Sequence, residues 1–143
     1  DNEHGAGPDV VWIDTQLNAG IAFELKTKKD VPAEYNKREI GQALNHVEWL
    51  AANMSDQTFD GLLIVGPNGV CKNEASPSDE LFFVETHQLA DRMDHLIDAI
   101  DDTRGKTLVE RWALLSEIGE LVEWQIEGWF KSLAVRKMKA MQN

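Results

Sequence analysis

The order of apolar and polar positions changes period several times along this chain. Residues 10–15 form a β-branched and aromatic run, residues 16–20 a turn-rich stretch, and residues 21–28 a second run in which Ile21, Phe23 and Leu25 alternate with Ala22, Glu24 and Lys26. Two such runs about an Asn-Ala-Gly turn predict an antiparallel hairpin, with Glu24 and Lys26 side by side on one face of its second strand. Pro32 then opens a stretch with helical spacing, in which Ile40, Leu44, Val47, Ala51 and Met54 recur every three or four residues. At about 100° per residue, Arg38, Gln42, Asn45, His46 and Trp49 fall on the opposite face. A tryptophan there needs either cover, for which the C-terminal helix is the expected element, or a base to stack on.

Residues 62–69 are a continuous apolar run closed by a turn, the mark of a strand buried on both faces. Residues 73–80 read as a polar loop and residues 81–84 as another strand, after which Thr86 is placed to cap a helix reaching about Ile100. Beyond Thr107 the apolar positions Leu108, Trp112, Leu115, Val122, Ile126, Trp129 and Leu133 describe one long helix, or two broken near Gly119 or Gly128. Trp112, Trp124, Trp129 and Phe130 give that helix enough aromatic surface to predict intimate packing or self-association. Hairpin, helix, buried strand, strand, helix and long helix in that order predict a mixed α/β domain.

Composition narrows the class. A length of 143 residues suits one domain with a real core, and 43% apolar with 27% charged residues excludes collagen-like and largely disordered chains. The lone Cys71 excludes an intrachain disulfide framework and favours a reducing, cytoplasmic compartment. No apolar run is long enough for a membrane span, so no membrane partner is expected. The start at Asp1, without an initiator Met, points to a domain excised from a longer protein. The net charge of −11 argues against polyanionic partners, but the acid is concentrated in residues 51–105, where three basic residues face eleven acidic ones. Residues 21–50 are balanced.

Within that balanced stretch the chemistry-bearing residues gather. A hairpin brings Asp9, at the mouth of the first strand, towards Glu24 and Lys26 on the second. Two carboxylates beside a lysine suit a hard divalent cation, with the ammonium placed to hold an attacking water. Pro8-Asp9 followed by Glu24-Leu25-Lys26 on adjacent strands, then a helix carrying Gln42 and His46, resembles the PD-(D/E)XK, or restriction-endonuclease-like, nuclease superfamily. His46 stands where the exonuclease-like branches carry Tyr in a Gln-x-x-x-Tyr motif. The resemblance covers roughly residues 7–67.

It implies a restriction-endonuclease-like mixed sheet flanked by helices, with the usual N-terminal helix missing and a long C-terminal helix added. Residues 1–105 would be the nuclease-like core, and residues 106–143 a helical extension packed on the core or on a partner. It further implies a Mg²⁺- or Mn²⁺-dependent deoxyribonuclease, a module of a larger restriction, repair or defence protein. Asp9, Glu24 and the Leu25 carbonyl would hold the metal, Lys26 would orient or deprotonate the water, and Gln42 would help to position the site. His46 is a secondary site residue. Lys28, Lys29, Lys37 and Arg38 flank the site and are candidates for DNA phosphates. A homodimer through the C-terminal helix is a further expectation.

Blander readings stand beside these. Glu24 and Lys26 also fit a solvated strand face with a cross-strand ion pair, and Asp9 after Pro8 also fits a turn. The rival functions are a catalytically inactive nuclease-like domain used for binding or oligomerisation, and an unrelated acidic interaction domain.

Overall fold

The computed structural model of the chain describes residues 7–122 and 133–143, with side chains given for 7–117 and 133–143. It is a mixed α/β structure: β1 (Val10–Asp14), β2 (Ala19–Leu25), β3 (Ala33–Tyr35), α1 (Lys37–Asn53), β4 (Thr58–Gly66), β5 (Gly69–Cys71), β6 (Leu81–Glu85), α2 (Thr86–Asp101), α3 (Leu108–Val122) and β7 (Arg136–Lys137). Among the described residues these strands make a mixed sheet in the order β1-β2-β4-β6-β7 and a small sheet pairing β3 with β5. The strands β2, β4 and β6 run parallel, and the edge strands β1 and β7 are antiparallel to their neighbours.

The hairpin turn forms where the Asn-Ala-Gly signal put it. Asp14 Oδ1 accepts the Gln16 and Leu17 amides at 2.9 and 3.2 Å, and Asn18 takes the positive φ of 50° that reverses the chain. The sheet separates two apolar layers. On the face carrying Ala22, Leu62, Ile64 and Phe83 lie Ile40, Ala43 and Leu50 of α1. On the other face Ile21, Phe23, Leu63, Val65 and Val84 meet Leu89 and Met93 of α2. The continuous run of β4 is apolar on both sides because both of its faces are covered.

The structure departs from the sequence expectation at several elements. Pro32 does not open α1; it precedes β3, and the helix starts after Asn36, whose side chain accepts the Glu39 amide at 3.1 Å while Glu39 Oε2 accepts the Asn36 amide at 3.0 Å. Asn36 and Glu39 thus form a capping box that the sequence reading, which began the helix at Pro32, did not single out. At α2 the cap position is Glu85, and Thr86 is the first helical residue, its buried hydroxyl without a partner in the structure. The expected long C-terminal helix is described only as α3, and Trp124, Trp129 and Phe130 lie outside the described residues. Leu133, read as an apolar position of that helix, lies in a bend outside any helix and is buried on the α2 side of the sheet with Val135 packed beside it. Arg136 and Lys137 then pair with Phe83 and Phe82, and Met138 and Met141 bury on the α1 side. The open edge of β6 supplies the hydrogen-bonding row that draws this segment into extended conformation.

At the start of α3, Leu108, Val109 and Trp112 are each more than three-quarters exposed. Trp49 meets the chain's own beginning and packs against the α1-side core. A Cβ at Gly7 would lie 3.0 Å from its ring, so glycine lets that segment lie flat on the indole.

Candidate functional site

The site sits at the carboxyl end of β2, the edge of a parallel sheet where open α/β folds place ligands. Antiparallel register sets Val10 of β1 against Phe23, so the residue before Val10 comes level with Glu24. Asp9 is fixed there by its Oδ2, which accepts the Leu25 amide at 2.7 Å. Asp9 itself is exposed. The hairpin thus delivers a solvent-facing carboxylate to the backbone between Glu24 and Lys26.

Glu24 shares the α1-facing side of β2 with Ala22, and it is 1% exposed. An ionised carboxylate so placed is costly unless both oxygens are bonded. Lys26 Nζ donates to Oε1 at 2.9 Å, and His46 Nδ1 lies 2.6 Å from Oε2. Lys26 Nζ also donates to Gln42 Oε1 at 3.1 Å, which ties the strand to the exposed side of α1. The Lys26 amide donates to the Val65 carbonyl at 2.7 Å and extends the β2–β4 ladder past Leu25. Asp9, Glu24, Lys26, Gln42 and His46 therefore gather around one end of β2. A solvated strand face does not describe Glu24.

His46 was placed on the polar face of α1, and there the expectation fails. The buried positions of α1 are Ile40, Ala43, His46 and Leu50, while Ala51, assigned to the apolar stripe, is exposed. The helix is rotated so that His46 points at the sheet. A buried carboxylate beneath it makes an imidazole worth more there than another alkyl group.

The neighbouring cations divide. A cleft of about 320 Å³ is lined by Leu25, Lys26, Thr27, Lys28, Lys29 and Glu39. Lys28, Lys37 and Arg38 are exposed. Lys29 is engaged: its Nζ donates to Glu39 Oε1 at 2.6 Å and stands 5.0 Å from the centre of the Tyr35 ring. Glu39 thus caps α1 and anchors the loop after β2. Burial raises the Glu39 carboxyl, but the bonds from Lys29 and the Asn36 amide outweigh it and hold the group below its ordinary 4.5. A lowered folded value means stabilisation that is complete above the ordinary value and fades as pH falls through the folded one. Urea melts between pH 3 and 7 should therefore show an acid-side loss of stability that is smaller in Glu39→Gln than in wild type; equal slopes would remove Glu39 as its source.

Tyr35 braces the same corner. Its hydroxyl donates to the Pro67 carbonyl at 2.6 Å, and burial together with Glu39 and Glu85 pushes the phenol well above its ordinary range, keeping it a donor. A Cβ at Gly66 would collide with that hydroxyl and come within 3.0 Å of the Lys26 carbonyl, so glycine is what lets β4 pass beside the site.

Among the described residues no three His, Cys, Asp or Glu side chains form a metal-holding group. Two hard carboxylates, Asp9 and Glu24, nevertheless stand level with each other at the end of β2. That set fits Mg²⁺, which takes one or two carboxylates and keeps several waters, better than an all-protein cage. Among the described residues no helix is long and apolar enough to cross a membrane. In comparison with known proteins, the chain matches no family model, no curated protein and no solved structure.

Proposed function

We propose that this chain is a metal-dependent nuclease domain of the PD-(D/E)XK type, hydrolysing DNA phosphodiester bonds as a module of a larger restriction, repair or defence protein. One observation carries the reading: Glu24 near the end of β2 and Lys26 just beyond it are bonded to each other and to α1, while Asp9 bonds the amide between them. The resemblance between this set and the superfamily's motif supports the restriction-endonuclease-like assignment of the sheet.

In this reading Asp9, Glu24 and the Leu25 carbonyl hold Mg²⁺ or Mn²⁺, which when bound supplies positive charge for the phosphoryl oxygens and the attacking water. Lys26 acts as an ammonium. Two of its donors serve Glu24 and Gln42, and a third is available to orient water or a phosphate oxygen in the cleft. Gln42 holds the Lys26 head in place. Lys28, Lys37 and Arg38 meet the DNA backbone on either side, and Lys29 is reserved for Glu39.

Asp9→Asn separates architecture from charge, because an amide oxygen still accepts the Leu25 N–H. We expect Mn²⁺ binding by calorimetry and cleavage of plasmid and linear DNA in the wild type, and loss of both in Asp9→Asn and Glu24→Ala. A wild type that binds no divalent ion at millimolar concentration would overturn the proposal. A second reading, a nuclease-like scaffold that binds or self-associates without cutting, draws on the exposed Leu108, Val109 and Trp112 at the start of α3. Metal binding without cleavage, together with a dimer in sedimentation, would favour it.

A further inference from the structure

The second oxygen of Glu24 is not accounted for by the motif. Lys26 and Gln42 form the solvent-side half of the network, reached from the cleft, whereas Oε2 turns inward to His46, which is 2% exposed. The 2.6 Å separation of His46 Nδ1 and Oε2 is a hydrogen bond, and an imidazole with its proton on Nδ1 donates it to the carboxylate. The bond crosses from α1 to β2, so the position of Glu24 is tied to the position of the helix and not to its own strand alone. A carboxylate with two rotatable bonds before its head group would otherwise be free to swing its oxygens about Lys26.

We propose that His46 is a positioning residue: its Nδ1–H anchors Oε2 of Glu24 so that Oε1 is the oxygen presented beside Lys26. This rests on the nuclease reading for what Oε1 then does, but the anchoring itself is a property of the pair. Groups that orient ligand side chains in this way typically change metal affinity or activity by about 10–100-fold when removed. The arrangement also gives a reason for a buried histidine among the apolar residues Ile40, Ala43 and Leu50.

Because the contact is made through Nδ1, an asparagine amide, which can stand near that atom, should substitute for His46, and a glutamine amide, which reaches the place of Nε2, should not. We expect His46→Gln and His46→Leu to weaken Mn²⁺ binding in calorimetry and to lower cleavage by about 10–100-fold, while His46→Asn recovers most of both. Thermal melts identify any variant that is unfolded at the assay temperature. Equal values for folded Asn and Gln variants, or wild-type affinity in either Gln or Leu, would overturn the anchoring role. Nitrogen-15 spectra of the wild-type ring need no variant: a protonated Nδ1 is expected, and a bare Nδ1 would overturn the proposal. Wild-type protein that binds Mn²⁺ but cuts no DNA would sink the nuclease reading alone, since the affinities still report on His46. Wild-type protein that binds no Mn²⁺ would sink both.

Discussion

Lys26→Ala is expected to lower DNA cleavage by about 10²-fold or more while Mn²⁺ still binds. The proposed ligands Asp9 and Glu24 remain in that variant, and Asp9 keeps its bond to the Leu25 amide. What disappears is a charged donor fixed from two sides, by Glu24 at 2.9 Å and by Gln42 at 3.1 Å. A donor held in this way loses little by reorganising when charge develops next to it, which is why its removal falls on the rate more than on binding. Glu24 loses one of its two partners, so some stability is lost as well, and a thermal melt must show the variant folded at the assay temperature. Lys26→Arg is not a mild control, because a planar guanidinium cannot put a compact charge between the same two acceptors. Calorimetry with Mn²⁺ beside a nicking assay decides the matter. Wild-type cleavage by Lys26→Ala would exclude the proposed chemistry for this site.

The largest stability effect is expected at Phe83. It is fully buried on β6, meets the Tyr35 ring edge-on at 5.5 Å and 64°, and lies under the Arg136 guanidinium at 5.3 Å. It thereby joins the main sheet, the small β3–β5 sheet and the C-terminal edge strand. Phe83→Ala removes the ring from a place where three elements meet and none can close the gap alone, so a cost near the usual range of about 3–5 kcal/mol is expected. Urea titration monitored by tryptophan fluorescence would measure it. A loss below about 1 kcal/mol would mean that the α1 side of the sheet is not the packed layer described here.

Several features were legible because they are local. The alternation of residues 21–26 put Glu24 and Lys26 on one face, and the hairpin turn fixed which residue of β1 stands opposite Glu24. Asp9, Glu24 and Lys26 could thus be grouped before any tertiary contact was known. The unbroken apolar run in β4 announced a strand with both faces covered. Gln42 was reached through the motif it resembles, and the structure puts it on Lys26.

Other features depended on what lands on what. Strands of two or three residues, such as β3, β5 and β7, carry no readable period, and each exists because a neighbouring edge offers unpaired backbone groups. The face of α1 was misjudged at His46 because an apolar stripe ranks histidine as outward-facing. The ranking reverses once a carboxylate is buried beneath the helix and must be satisfied. Lys29 looked like any exposed cation until the first turn of α1 brought Glu39 to it. Trp49 meets the segment at Gly7 and packs against the α1-side core. Hydrophobic period is a property of consecutive residues, so the sequence alone determined the hairpin, the central strand and the pairing of Glu24 with Lys26. The partner of a buried charge is chosen by which element packs over it, and that was decided only when α1 closed on β2.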